Sequence, residues 1–328
     1  MTKTHHEFFP INLCDESLLF HSRVHALSDN EYPDTWIKRE DESSFGISGS
    51  KKRKYASLIP FLKKNKFDCV GVIGGSNSNN VIGLVQLLIE NQLNFKLFLK
   101  TNNSIANSGN GFLLSLLSKK EKITFVNQTD WPNVEVIAQD SLKKEYSNFK
   151  TITEGSSCIE AFPGALTMAV DIIKNEKEQH LKFNHVFIDA GTCLMATALC
   201  LEFSKLRKET CIHIVLMAED ETYFSNQLVK TIEWATFYNL NYQLPANYIL
   251  YKPITAKSFG SVNATVLDKT KEYAQKYGIL TDPIYSTKLF MTALNIIKEK
   301  KLLGNKLIIH SGGGQSLFGF QDKILNIK

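Results

Sequence analysis

Four consecutive cations, Lys51-Lys52-Arg53-Lys54, follow Ser48-Gly49-Ser50 and open a stretch with apolar Tyr55, Leu58, Ile59 and Leu62 at helical spacing. Three readings suit this run. It could be a localisation or nucleic-acid patch, a solvated helix face, or a reactive-amine site. In the third, Ser50 caps the helix and Lys51 and Lys54, three apart, share one face. One amine would then form a Schiff base while the other balances a phosphate. Desolvation and adjacent cations both lower a lysine pKa and so favour a nucleophilic amine.

Three further segments combine glycine with hydroxyl or amide side chains directly after a strand-like run. Gly74-Gly75-Ser76-Asn77-Ser78-Asn79-Asn80 follows Cys69–Ile73 and precedes an apolar-periodic stretch at Val81–Glu90. Glycines let the backbone approach a ligand, a helix start attracts anions, and Ser or Asn can cap it. Asp189-Ala190-Gly191-Thr192-Cys193-Leu194-Met195 has the same arrangement, although Leu194 and Met195 also suit a core. His310-Ser311-Gly312-Gly313-Gly314-Gln315 is the third. None places G-x-G-x-x-G where a dinucleotide needs it. Three strand-end loops in one chain point to a shared cleft.

The elements that must carry these loops alternate. Strand-like runs occur at Cys69–Ile73, Phe95–Leu99, Ile123–Val126, His185–Ile188, Ile212–Leu216, Tyr248–Tyr251 and Lys306–His310, with helical patterns at Val81–Glu90 and Gly111–Leu117. Such alternation predicts an α/β fold with parallel sheets and crossover helices, whose ligands collect beyond the carboxyl ends of strands. The polar region Asn127–Lys150 is expected to bridge two α/β units. A length of 328 residues suits about two domains.

Lys and Arg total 38 against 33 Asp and Glu, a net charge of +5, with 43% hydrophobic and 22% charged residues. Collagen, disordered tails and small disulfide scaffolds are excluded by this composition. A dedicated nucleic-acid binder would show a stronger clustered excess. The cysteines Cys14, Cys69, Cys158, Cys193, Cys200 and Cys211 form no CxxC pair; neither a zinc motif nor a disulfide framework is expected, and no metal. The N-terminal segment lacks the apolar core of a signal peptide, and no run approaches the roughly 18 apolar residues of a spanning helix. The expectation is a cytoplasmic protein.

The motifs together resemble a known family. Trp36-Ile37-Lys38-Arg39-Glu40-Asp41 with Ser48–Lys54 resembles the KRED…GGNKxRK signature of the 1-aminocyclopropane-1-carboxylate (ACC) deaminase and D-cysteine desulfhydrase family. Ile73–Asn79 resembles its IGGxQSN loop, Gly278–Tyr285 its G-x-L-x-D-P-V-Y segment, and His310–Gly313 its H-(T/L)-G-G ending. The matches occur in the family's order.

The resemblance implies a tryptophan synthase β-like fold of two doubly wound three-layer domains, with pyridoxal 5'-phosphate (PLP) in the cleft between them. Residues 1–47 with 155–328 would form the larger domain and 48–154 a smaller inserted one. Lys51 would hold PLP as a Schiff base, Asn79 would bond its phenolic oxygen, and Ser311 would face its pyridine nitrogen. Gly191, Thr192, Cys193, Leu194 and Met195 would bind the phosphate, with Lys54 as counter-charge. Ser78 would meet the substrate carboxylate or move a proton, and Tyr285 would lie near ring and substrate. Asn79, Phe259 and Ser286 would also line the substrate. A homodimer is implied too.

Departures from the family bear on the substrate. The phosphate loop lacks the usual hydroxyl-rich run at Leu194 and Met195, and Phe259 stands where the family has a catalytic tyrosine. Ser286 and Ser311 replace the glutamate and leucine of ACC deaminases. These differences favour α,β-elimination from a small, D-cysteine-like amino acid, giving a 2-oxo acid and ammonia. True ACC deaminase, or a silent paralogue that binds an amino acid or metabolite, are the rival readings.

Overall fold

The computed structural model describes residues 11–43, 45–47, 49–100, 105–207 and 209–326. Ser48, which opens the basic motif, and the first ten residues of the N-terminal segment lie outside these. The strands are β1 (Val24–Ala26), β2 (Thr35–Arg39), β3 (Cys69–Gly75), β4 (Phe95–Lys100), β5 (Ile123–Val126), β6 (Phe149–Ile152), β7 (Phe183–Ala190), β8 (Cys211–Leu216), β9 (Tyr248–Tyr251) and β10 (Asn305–His310). The longer helices are α1 (Lys51–Asn65), α2 (Asn79–Glu90), α3 (Gly109–Leu117), α4 (Val134–Lys143), α5 (Phe162–Glu178), α6 (Leu194–Leu206), α7 (Glu221–Phe237), α8 (Ala264–Tyr277) and α9 (Ser286–Glu299). The chain divides into two compact units. One comprises Met1–Leu19, Phe45–Ile47 and Lys51–Gly164; the other comprises Phe20–Ser44, Ser48–Ser50 and Ala165–Lys328.

The first unit holds a four-stranded sheet in the order β5-β4-β3-β6, parallel throughout. The chain runs outward from β3 through β4 to β5, then returns to place β6 on the other side of β3. The order therefore reverses at β3, and its carboxyl end, where Gly74–Asn80 begins, is the topological switch point at which such sheets bind ligands. Asn127–Lys150 is not the bridge expected from its polarity. It contains α4 and the start of β6, and Trp131, Val134, Ala138 and Leu142 join Cys69, Ile73 and Phe98 in one buried cluster. A helix that buries only a narrow stripe at i, i+4, i+8 spacing reads as polar overall.

The second unit holds a six-stranded sheet in the order β1-β2-β10-β7-β8-β9, in which β1 alone runs antiparallel. Its order reverses at β7, so Gly191–Met195 also begins at a switch point. β10 is the parallel neighbour of β7, so the Ser311–Gln315 loop emerges at the same sheet edge. Ile37, Phe187, Val215 and Ile308 pack with Leu289, Phe290 and Ala293 of α9 in one core cluster. Lys38 on β2 is fully buried, its ammonium 2.5 Å from Asp171 and 2.6 Å from Asn175 Oδ1 on α5. Arg39 forks onto Asp41 at 2.9 and 2.7 Å. The Lys38–Asp41 motif thus builds the scaffold; buried charge persists only when paired in this way.

Candidate functional site

In the first unit the predicted residues sit at two helix starts. α1 begins at Lys51 itself, directly after Ser50. Ser78 is the N-cap of α2, with extended backbone, and its hydroxyl oxygen accepts from the N–H groups of Asn80 at 3.2 Å and Val81 at 3.4 Å. This use of the oxygen leaves the Ser78 proton available for donation. Asn79 follows, and its Oδ1 accepts from Nδ2 of Asn110 on α3 at 2.7 Å. The same Asn110 nitrogen donates to the Asn77 carbonyl at 3.0 Å. With Oδ1 so engaged, the Asn79 NH2 keeps its protons for another acceptor. Asn110 is buried, and nothing in the surrounding sequence marks it as more than a turn residue.

Tyr55 ties these two helix starts together. Fully buried, it lies 2.9 Å from the Asn80 carbonyl and 3.1 Å from Asn80 Oδ1. A Cβ at Gly83 would come within 3.0 Å of its ring, so glycine there lets α1 and α2 close on one another. Lys52 titrates below the usual lysine range, first because it is partly buried and then because Arg53 lies beside it. Lys54 is buried and donates to the Gly155 carbonyl at 2.8 Å, anchoring α1 to the loop after β6.

In the second unit the strand-end loops are held by backbone geometry. Gly312 and Gly313 have φ of 94° and 89°, a region that strains other residues. His310, fully buried, donates from Nε2 to the Leu280 carbonyl at 3.0 Å and accepts the Gly312 N–H on Nδ1 at 3.3 Å. The Ser311 carbonyl accepts the N–H of Ser50 at 3.0 Å. Gly49, at φ +79°, lies so close to that carbonyl that no Cβ would fit. The residues leading into Lys51 are therefore seated on the loop that follows β10.

Tyr285 stands over Gly191: a Cβ at Gly191 would meet the phenol at 3.4 Å from Cε1 and 3.7 Å from the hydroxyl. Phe259 meets Tyr285 edge-on at 6.2 Å between ring centroids and is 60% exposed. The turn bearing Phe259 is tied down by buried Lys288, which donates to the Ala256 carbonyl at 2.8 Å. Cys193 takes the N-cap position of α6 in the left-handed region, at φ 64°. Leu194 and Met195 are buried, and the Thr197 hydroxyl turns back to the Leu194 carbonyl at 3.1 Å. The Leu194 N–H donates to the Thr192 carbonyl at 2.9 Å, closing the turn that leads into α6.

One predicted substrate residue also has a structural task. Ser286 is fully buried and donates to Asp282 Oδ2 at 2.7 Å. Asp282 also accepts the backbone N–H groups of Ile284, Tyr285 and Ser286 at 2.9, 2.9 and 3.0 Å. Ser286 thus helps to fix the start of α9, and with it Tyr285. Asp282 and His310 lay inside recognised motifs, yet their work as loop anchors becomes visible only in three dimensions.

The residues suit PLP. Lys51 supplies an amine at a helix start, Asn79 an oriented amide donor, and Gly75 a stretch of backbone where a Cβ would meet open space. Leu194 and Met195 bring no hydroxyl to the start of α6.

Parallel α/β sheets with glycine loops at both switch points give this chain the fold of type II PLP-dependent enzymes. The crystal structure of an ACC deaminase homologue superposes with a TM-score of 0.83 at 20% identity, covering 98% of this chain and 97% of that one. Threonine deaminase isoform 2 from Solanum lycopersicum gives 0.67 at 15% identity, covering 97% and 85%. In sequence, D-cysteine desulfhydrase of Klebsiella pneumoniae is 24% identical over 308 residues, 90% of this chain and 91% of its own. The mitochondrial bifunctional D-cysteine desulfhydrase/ACC deaminase of Arabidopsis thaliana is 25% identical over 302 residues, 88% of this chain and 74% of its own. No family model matches. The chain is a homologue of these enzymes, as its motifs implied. Among the described residues no helix is long and apolar enough to cross a membrane.

Proposed function

We propose that the chain is a PLP-dependent lyase that removes the β-substituent and amino group of a small amino acid, D-cysteine in the first instance. D-cysteine and water would yield hydrogen sulfide, ammonia and pyruvate. When bound, PLP supplies the electron sink that acidifies the α C–H bond. Lys51 would hold the cofactor, and its amine, when free, would carry the α proton. Asn79 donates through Nδ2 to the phenolic oxygen. Ser78 keeps its own proton for the substrate carboxylate. Tyr285 bounds the reacting region, and Ser311 offers the pyridine nitrogen a hydroxyl, which does not force protonation. Backbone groups of Gly191–Met195 hold the phosphate at the start of α6.

The observation that carries this reading is the Asn79 amide, fixed by Asn110 with its NH2 free to donate to an anionic oxygen. Phe259 has no proton to give, which favours β-elimination over cyclopropane opening. The test is turnover by PLP-loaded protein of D-cysteine and, separately, ACC. Equal amounts of sulfide and pyruvate from D-cysteine, with no 2-oxobutyrate from ACC, support the proposal. 2-Oxobutyrate without sulfide, or no product from either, refutes it.

A further inference from the structure

A cluster of potential metal ligands lies apart from the loops discussed above. The β7–β8 register sets His185 beside Cys211, and two-residue spacing puts Cys211 and His213 on one face of β8. One ligand atom each from His185, Cys211 and His213 falls within 4.8 Å of the others. His185 Nδ1 and His213 Nε2 face one another at 3.0 Å. Two nitrogens bound at about 2.0–2.1 Å to one tetrahedral zinc stand roughly 3.3 Å apart, so a shift of a few tenths of an ångström would admit the ion.

The surroundings hold these groups in ligating form. His213 is fully buried, stacked on Phe187 at 4.3 Å and on Tyr251 at 5.7 Å between centroids. Its Nδ1 lies 3.1 Å from the Tyr251 hydroxyl, which would orient the ring as outer partners of ligating histidines do. Burial lowers both imidazole pKa values, keeping them neutral. Burial raises the Cys211 thiol, while nearby Lys300 opposes the rise. Cys211 and His185 remain partly exposed, which leaves a route from solvent.

We propose that His185, Cys211 and His213 form a site for a thiophilic divalent cation such as zinc, with water in the fourth position. Binding would release the Cys211 proton to solvent. Each imidazole would keep one proton on the nitrogen away from the metal, and nothing would be oxidised or reduced. The ion would clamp β7 to β8, independently of the function proposed above. Sequence spacing argued against zinc because the ligands come from two strands and meet only through sheet register.

The test uses PLP-loaded protein stripped by chelator, dialysed, and titrated with cobalt(II) while difference spectra are recorded. Saturation at one equivalent is expected, with thiolate-to-cobalt charge transfer and intense four-coordinate ligand-field bands, all reversed by zinc. Cys211→Ser should lose the charge-transfer band. His185→Asn, at a partly exposed position, should weaken binding by at least the roughly 10- to 100-fold that losing an outer partner costs. Absence of the band in the parent protein, its persistence in Cys211→Ser, or unchanged affinity in His185→Asn would overturn the proposal and leave a hydrogen-bonded histidine pair.

Discussion

The hydroxyl of Tyr55 lies 2.9 Å from the carbonyl of Asn80, tying the helix that starts at Lys51 to the turn that carries Ser78 and Asn79. Because Tyr55 is fully buried against Gly83, the two helix starts are fixed by packing as well as by this bond. An amine at Lys51 and an amide donor at Asn79, 28 residues further along the chain, thus share one rigid support.

Asn110 sets which face of the Asn79 amide is presented. Replacing it with Ala removes the 2.7 Å bond to Asn79 Oδ1. Loss of one buried hydrogen-bond partner costs about 1–3 kcal/mol, so PLP affinity should fall roughly 5- to 160-fold. Titrating PLP onto the apo-protein by absorbance measures this; unchanged affinity would remove Asn110 from the account.

Gly49 should tolerate no side chain. Gly49→Ala places a Cβ against the Ser311 carbonyl at φ +79°, and the backbone strain alone is worth about 1–3 kcal/mol. Urea denaturation should show at least that loss. A stability equal to the parent's would mean that the segment before Lys51 is not seated on the Ser311 loop as described.

Lys38→Met takes away the ammonium 2.5 Å from buried Asp171, leaving that carboxylate to His21 Nδ1 at 2.6 Å and the Ser22 N–H at 3.2 Å. Removing one member of a buried pair costs about 3–5 kcal/mol, whereas replacing both with apolar residues is far milder. Lys38→Met with Asp171→Leu should therefore recover much of the stability that Lys38→Met alone loses in the same denaturation assay. An additive or larger loss in the double variant would contradict this.

Burial drives the His213 pKa down to about 3 from an ordinary 6.5. The unfolded chain therefore takes up a proton at a higher pH than the folded one. The neutral imidazole's contribution to stability is complete above 6.5 and is lost as pH falls toward 3. In metal-free buffer, His213→Gln should flatten the stability–pH slope across that window, measured by denaturation at a series of pH values. An unchanged slope would show that His213 is not what couples stability to acid.

Much of the fold was legible because its signals are local. The apolar runs within β3, β4, β5, β7, β8, β9 and β10 are each followed by their own punctuation, and the glycine loops mark the carboxyl ends of β3, β7 and β10. β6 was missed because Lys150 and Thr151 interrupt it, and α4 because its buried stripe is narrow. Within the candidate site, Lys51, Ser78 and Asn79 stood out by motif, whereas Asn110 and Tyr55 act through contacts that no spacing reveals. Ser286 stood out by its place after the motif tyrosine, whereas its bond to Asp282, four residues earlier and an acceptor for that same helix start, shows only in three dimensions.

The attachment of PLP to Lys51 is tested most directly by borohydride reduction of the PLP-loaded protein, followed by peptide mass mapping. The account predicts a single reduced pyridoxyl group on Lys51, and none on any lysine of a Lys51→Ala variant treated in parallel. A label on Lys52, Lys54 or another lysine in the parent protein, or no label at all, would contradict it.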